Sequence, residues 1–167
     1  FQRNRRHRVA REGITHLRVA SFQAQFPAGG TPSTTTFINS GGNPTNSYAT
    51  NEMVCVRVED QDRNQSPAVP NTLTVVITTT SGDAETVALT ETGADTGIFA
   101  GCIQANTNAV SVGNGILNAP GGAGLAVTYT DPFNPSDTTS DNAIVRMPPG
   151  PKPVVSLFKR LVSPANS

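Results

Sequence analysis

TLTVVITTTSGDAETVALTETG, residues 72–93, alternates apolar and polar side chains on either side of a short turn. In its first half Leu73, Val75 and Ile77 share one face, with Thr74, Val76 and Thr78 on the other. That period of two belongs to a β-strand with one face buried; a helix would space its apolar residues three and four apart. Ser81-Gly82-Asp83 supplies turn residues, and Val87 and Leu89 then resume the alternation. The stretch therefore predicts a β-hairpin.

The same period extends in both directions. Upstream, Val54, Val56 and Val58 alternate with Cys55, Arg57 and Glu59; downstream, Phe99, Gly101 and Ile103 alternate with Ile98, Ala100 and Cys102. Leu125, Val127 and Tyr129 form another apolar face, and Ala143, Val145 and Met147 a last one. Shorter runs at 34–39, 110–112 and 116–117 carry weaker strand signals. Turn signals about every 8–12 residues predict an all-β chain, an immunoglobulin-like β-sandwich with extended N- and C-terminal segments. Closure into a barrel would give the same spacing.

Composition points the same way. Charged residues are 14 % of the chain, against about a quarter in an ordinary globular domain. Thr occurs 21 times and Lys twice. Thr is β-branched and suits the wet face of a sheet, whereas a helical bundle draws on Ala, Leu, Glu and Lys. No apolar run approaches the roughly 18 residues of a membrane-spanning helix.

Three regions follow: a basic arm at 1–48, the sandwich at 49–147, and a linker with a final strand at 148–167. In the arm, ITHLRVASFQAQF carries Ile14, Leu17, Val19 and Phe22 and fits a long strand or an amphipathic turn of helix, with its β-prone neighbours favouring the strand; a loop rich in Gly, Pro, Ser and Thr follows. At the other end Pro148-Pro149-Gly150-Pro151 is a stiff connection to an apolar segment with Val154, Val155, Leu157 and Phe158. The net charge of zero conceals a partition. Residues 1–18 hold six Arg, among them Arg3, Arg5, Arg6 and Arg8, against Glu12; residues 19–141 hold two Arg against eleven acids; residues 142–167 add four cations. The ends are thus basic and the body acidic, an arrangement suited to contacts between segments or between copies. An acidic body would repel phosphate and no recognition motif accompanies the Arg cluster, so no nucleic-acid partner is expected.

VCVRVEDQDRN at 54–64, TLTVVITTTSGDAETVALTETGADTGIFAG at 72–101 and LAVTYTDP at 125–132 resemble the immunoglobulin-like repeat modules of bacterial secreted and cell-surface proteins. The shared order is an alternating Val strand ending in an acidic turn, a hairpin, a T-E-T-G turn, a G-x-F-x-G strand and a T-Y-x-D-P ending. The resemblance spans residues 50–146 and implies a structural or adhesive role in a larger extracellular assembly.

Cys55 and Cys102 are the only cysteines. Both fall opposite the apolar face of their strands, and they would form a disulfide if those strands are neighbours in an oxidising compartment. Asp95-Thr96-Gly97 has the three letters of an aspartic protease, but that chemistry needs two carboxylates sharing a proton, and there is no second copy. Asp60, Asp62 and Asn64 place oxygen ligands at alternate positions, as the start of an EF-hand loop does, but Gln65 and Asn71 stand where its Gly and Glu belong. They remain a candidate weak Ca²⁺ site, with Asp95 or Asp131 as further donors; no other cofactor is expected. With no catalytic set, the expected function is non-enzymatic: a structural subunit of an extracellular or cell-surface assembly, filament-like or layer-like. It would associate with copies of itself through the Arg and apolar residues of its terminal segments. The alternative is an adhesion module for a surface partner or carbohydrate, with Phe37, Tyr48 and Phe133 as its aromatic contacts.

Overall fold

The computed structural model describes residues 30–152. Nine strands build it: β1 (Thr34–Ile38), β2 (Ser47–Tyr48), β3 (Met53–Glu59), β4 (Thr72–Thr79), β5 (Ala84–Glu91), β6 (Ile98–Asn106), β7 (Leu117–Asn118), β8 (Gly124–Thr130) and β9 (Thr138–Val145). The one helical element among the described residues is a 3-10 turn at Gln61–Arg63. The chain is all-β, and the hairpin predicted from residues 72–93 is β4–β5, with Leu73 opposite Leu89 and Val75 opposite Val87. These pairs face inward while the alternating Thr residues face water.

The strands follow one hydrogen-bonded path, β1-β3-β6-β5-β4-β8-β9-β2, with β7 attached to β6. The result is a curled sheet, a half-barrel, in place of two separately bonded sheets. The join is short, because β5 meets β6 only through Thr90–Ala100 and Glu91–Phe99. Gly101 allows that approach: a Cβ there would stand 2.3 Å from the Ala88 carbonyl oxygen and 2.8 Å from Leu89 Cδ2.

At the opposite side no backbone ladder links β1 directly to β9, and side chains close the gap. The carboxylate of Asp137 accepts the Ser33 N–H at 2.7 Å, the Thr35 and Thr139 hydroxyls bond at 2.8 Å, and Asp141 accepts the Phe37 N–H at 2.7 Å. Each pair is separated by 104 residues, so the two segments run parallel in constant register. β2 completes the seam by pairing in parallel with Ile144 and Val145, while Thr45 N–H donates to the Phe37 carbonyl at 2.9 Å.

Inside lie Phe37, Val56, Ile77, Leu89, Phe99 and Val127, all buried. The expectation that Phe37 and Tyr48 are exposed aromatics open to a ligand is therefore corrected: both are core residues, packed edge to face with ring centroids 6.1 Å apart. The Tyr48 hydroxyl donates between the carbonyls of Ile38 at 2.8 Å and Cys55 at 3.0 Å, and burial raises its pKa to about 12. Met147 is also corrected. Ala143 and Val145 are buried as their alternation predicts, but β9 ends at Val145 and Met147 is 75 % exposed. Val110 and Val112 lie in an exposed loop outside any strand. The self-assembly residues Arg3, Arg5, Arg6, Arg8, Ile14, Leu17, Val19, Phe22, Val154, Val155, Leu157 and Phe158 lie outside the described residues.

Candidate functional site

Three constellations named from the sequence fall within the described residues. The first is covalent. Cys55 and Cys102 are directly opposed in the β3–β6 ladder, their Cα atoms 4.0 Å apart, and they form a disulfide. Cys55 is buried although it lies opposite its strand's Val face.

The second is an acidic group at the end of the half-barrel where β3 and β8 finish. Asp60 follows β3, Asp62 lies in the 3-10 turn and Asp131 follows β8; one oxygen from each lies within 4.8 Å of the others. Local hydrogen bonding explains each position. Asp60 caps the turn, accepting the Asp62 N–H at 2.9 Å, and its other oxygen accepts the Tyr129 hydroxyl at 2.5 Å. Asp62 accepts both the N–H and the hydroxyl of Thr31, at 2.9 and 3.1 Å. Asp131 anchors its loop by donating its N–H to the Asp137 carbonyl and accepting the Phe133 N–H at 2.9 Å. Its second oxygen, Oδ2, is buried and has no hydrogen-bond partner.

This crowding has an electrostatic signature. Burial raises the pKa of Asp60, and the charge of Asp131 adds to it, while the bond from Tyr129 pulls it back. Burial likewise drives the Tyr129 hydroxyl far above its ordinary value, reinforced by Asp60. Arg63, adjacent in sequence, does not neutralise the group: its guanidinium lies over the Phe133 ring at 5.2 Å and reaches the Thr72 carbonyl at 3.5 Å. Among the described residues the one ion pair is Arg57–Glu59, at 3.2 Å.

Asn64, expected beside Asp60 and Asp62, turns elsewhere. Its amide donates to Asp95 at 2.7 Å, and neither residue belongs to the three-carboxylate group. Asp131, named from sequence only as one further donor, is the residue that completes the cluster. The signal for it was the Asp-Pro ending after Tyr129, but nothing in linear spacing shows which loop folds against the Asp60 turn.

The Asp95-Thr96-Gly97 stretch is a turn held from below. Glu91 accepts the N–H groups of Asn71, Thr96 and Gly97 at 3.0, 2.7 and 2.8 Å. These bonds, that of Asn71 foremost, hold the Glu91 carboxyl below its ordinary range. Glu85 secures the loop before β7 in the same way, through Asn114 and Gly115, and Asp83 accepts the Asn118 N–H at 2.6 Å.

The chain matches no protein-family model, and no curated protein is significantly similar to it. Among the described residues no helix is long and apolar enough to cross a membrane.

Proposed function

We propose that the chain is a non-enzymatic structural subunit of an extracellular or cell-surface assembly, an immunoglobulin-like module that associates with its own copies through its terminal segments. The observation that carries this reading is the uncompensated charge of the body. Eleven acids lie between Glu52 and Asp141, yet Arg57–Glu59 is the one ion pair among the described residues. The remaining acids are bound mainly by backbone N–H groups, which orient a carboxylate without cancelling its charge. Basic segments at both ends supply the missing countercharge, within a chain or across a contact. The disulfide fits an oxidising compartment.

The test compares the full chain with a variant lacking residues 1–26, by light scattering and negative-stain microscopy. The full chain is expected to form ordered oligomers or filaments, and the truncated chain to remain a folded monomer. A full chain that stays monomeric, or a truncated chain that assembles equally well, overturns the reading. The adhesion alternative has one observation in its favour: Phe133 is 59 % exposed beside Arg63. Glycan binding lost on Phe133→Ala would select it.

A further inference from the structure

We infer that Asp60, Asp62 and Asp131 form a Ca²⁺ site that fastens the start of the folded domain to the loops following β3 and β8. Ca²⁺ takes oxygen ligands at about 2.3–2.6 Å, so two ligands on opposite sides of one ion stand roughly 4.6–5.2 Å apart. Three carboxylate oxygens within 4.8 Å of one another fit a single coordination sphere. The set is all oxygen, with no His or Cys, which is the chemistry of a hard cation and not of Zn²⁺.

A cluster of acids can exist without an ion, and here the distinguishing feature is Asp131. Asp131 is 0 % exposed, its Oδ1 accepts from Phe133, and its Oδ2 is buried with no hydrogen-bond partner. Asp60, 1 % exposed, is buried beside it. Ionised carboxylates removed from water are tolerated when paired with a cation or a metal, and are strongly disfavoured when bare. The one cation in the turn, Arg63, lies over Phe133 and reaches the Thr72 carbonyl; its Nε is buried without a hydrogen-bond partner, and it forms no ion pair with the three carboxylates. A divalent ion shared by the three oxygens would relieve both the burial of Asp131 Oδ2 and the mutual repulsion.

The position gives the site a mechanical consequence. Thr31 binds Asp62 through two hydrogen bonds, and Gly30 packs so closely that a Cβ there would lie 2.3 Å from Asp62 Oδ2. Fixing Asp62 on an ion therefore fixes the chain just before β1, where the basic arm meets the body.

The experiment uses the full chain, stripped with EDTA and titrated with CaCl2 by calorimetry, with thermal melting followed in parallel. Binding is expected in the roughly 10⁻⁴–10⁻³ M range typical of extracellular modules, with a saturable rise in melting temperature and a weaker response to MgCl2. Asp131→Asn should weaken Ca²⁺ binding at least tenfold. In EDTA the same variant should melt at or above the wild-type temperature, because a neutral amide removes the repulsion. That opposite sign in the two buffers is not expected of a merely disruptive substitution. Should Asp131→Asn fail to fold, Asp62→Asn on the more exposed turn is read the same way. Wild type showing neither heat nor a melting shift at about 10 mM CaCl2, or a folded variant that binds as wild type does, overturns the inference.

Discussion

Asp141→Ala tests whether side chains close the half-barrel. The Asp141 carboxylate is the partner of the Phe37 N–H at 2.7 Å, and Phe37 is 0 % exposed. Removing it leaves a buried donor unsatisfied, which costs about 1–3 kcal/mol. Asp137→Ala removes the equivalent partner of Ser33. The two carboxylates are four residues apart along one segment, about 13 Å at strand rise, and share no partner, so their effects should add to about 2–6 kcal/mol. Asp141→Asn separates charge from geometry: it keeps an acceptor oxygen of the same reach and should recover about half the loss, since neutral hydrogen bonds are roughly half as strong as charged ones. Any gain from lowering the body's negative charge is common to Ala and Asn, so their difference isolates the hydrogen bond. Urea unfolding gives the global stability, and amide exchange at Phe37 gives the local one. A loss of 2 kcal/mol corresponds to roughly 30-fold faster exchange where opening controls it. If Asp141→Ala shifts stability by less than about 0.5 kcal/mol and leaves Phe37 protected, the carboxylate bridge does not hold β1 and the reasoning fails.

The disulfide and Glu91 give two further predictions. The Cys55–Cys102 bridge joins residues 47 apart; in the chain-entropy treatment its removal costs about 4 kcal/mol. Urea denaturation with and without reductant measures the loss, and a change under about 1 kcal/mol would mean that the β3–β6 ladder already confines the unfolded chain. Glu91 contributes to the acid limb of stability. Its folded pKa lies below the ordinary 4.5 because three backbone N–H groups favour the ionised form, so its contribution is present above that value and lost as pH falls through the lower folded one. Asp60 has the opposite sign in metal-free buffer, since its raised pKa makes protonation favour the native state and that benefit disappears as pH rises. Glu91→Gln should flatten the decline of melting temperature on acidification; an acid limb identical to wild type would show that the Thr92–Gly97 turn does not depend on this carboxylate.

The β3, β4, β5, β6 and β8 strands were legible because each has one wet and one dry face, and a period of two records that directly. β1 gave a weaker signal: its five residues, Thr-Thr-Thr-Phe-Ile, are mostly polar. Phe37 is nonetheless fully buried, edge to face with Tyr48 and opposite Val56 of β3, while its N–H is taken by Asp141 of β9, 104 residues away. Tyr48 escaped for a related reason, since its two-residue strand has no period to detect. Met147 continued the alternation of Ala143 and Val145 in sequence but falls beyond the last ladder pair, where no sheet is left to bury it. For the acidic group, Asp60 and Asp62 share a turn and could be seen together. Asp131 joins them through the tertiary fold, at the end of β8 where Tyr129, 69 residues from Asp60, donates its hydroxyl to Asp60.

The acids also change meaning between sequence and fold. Read as a block they are a field; read one at a time they are acceptors. Ten of the eleven accept a hydrogen bond from an uncharged group, mostly a backbone N–H, and among the described residues only Glu59 meets a cation. Such bonds fasten the loops 92–97 and 107–116 and the seam between β1 and β9, yet they leave the net charge in place. That residual charge supports two separable effects. Attraction to the basic ends acts over exposed surface and weakens once the screening length falls to about 3 Å near 1 M salt. A cation held by Asp131 acts through oxygens that are already buried, where screening is slight. Sodium chloride at that strength should therefore disperse an assembly of the full chain while leaving most of the Ca²⁺-dependent rise in melting temperature intact. Loss of both together would place the cation on the open surface, outside the carboxylate cluster.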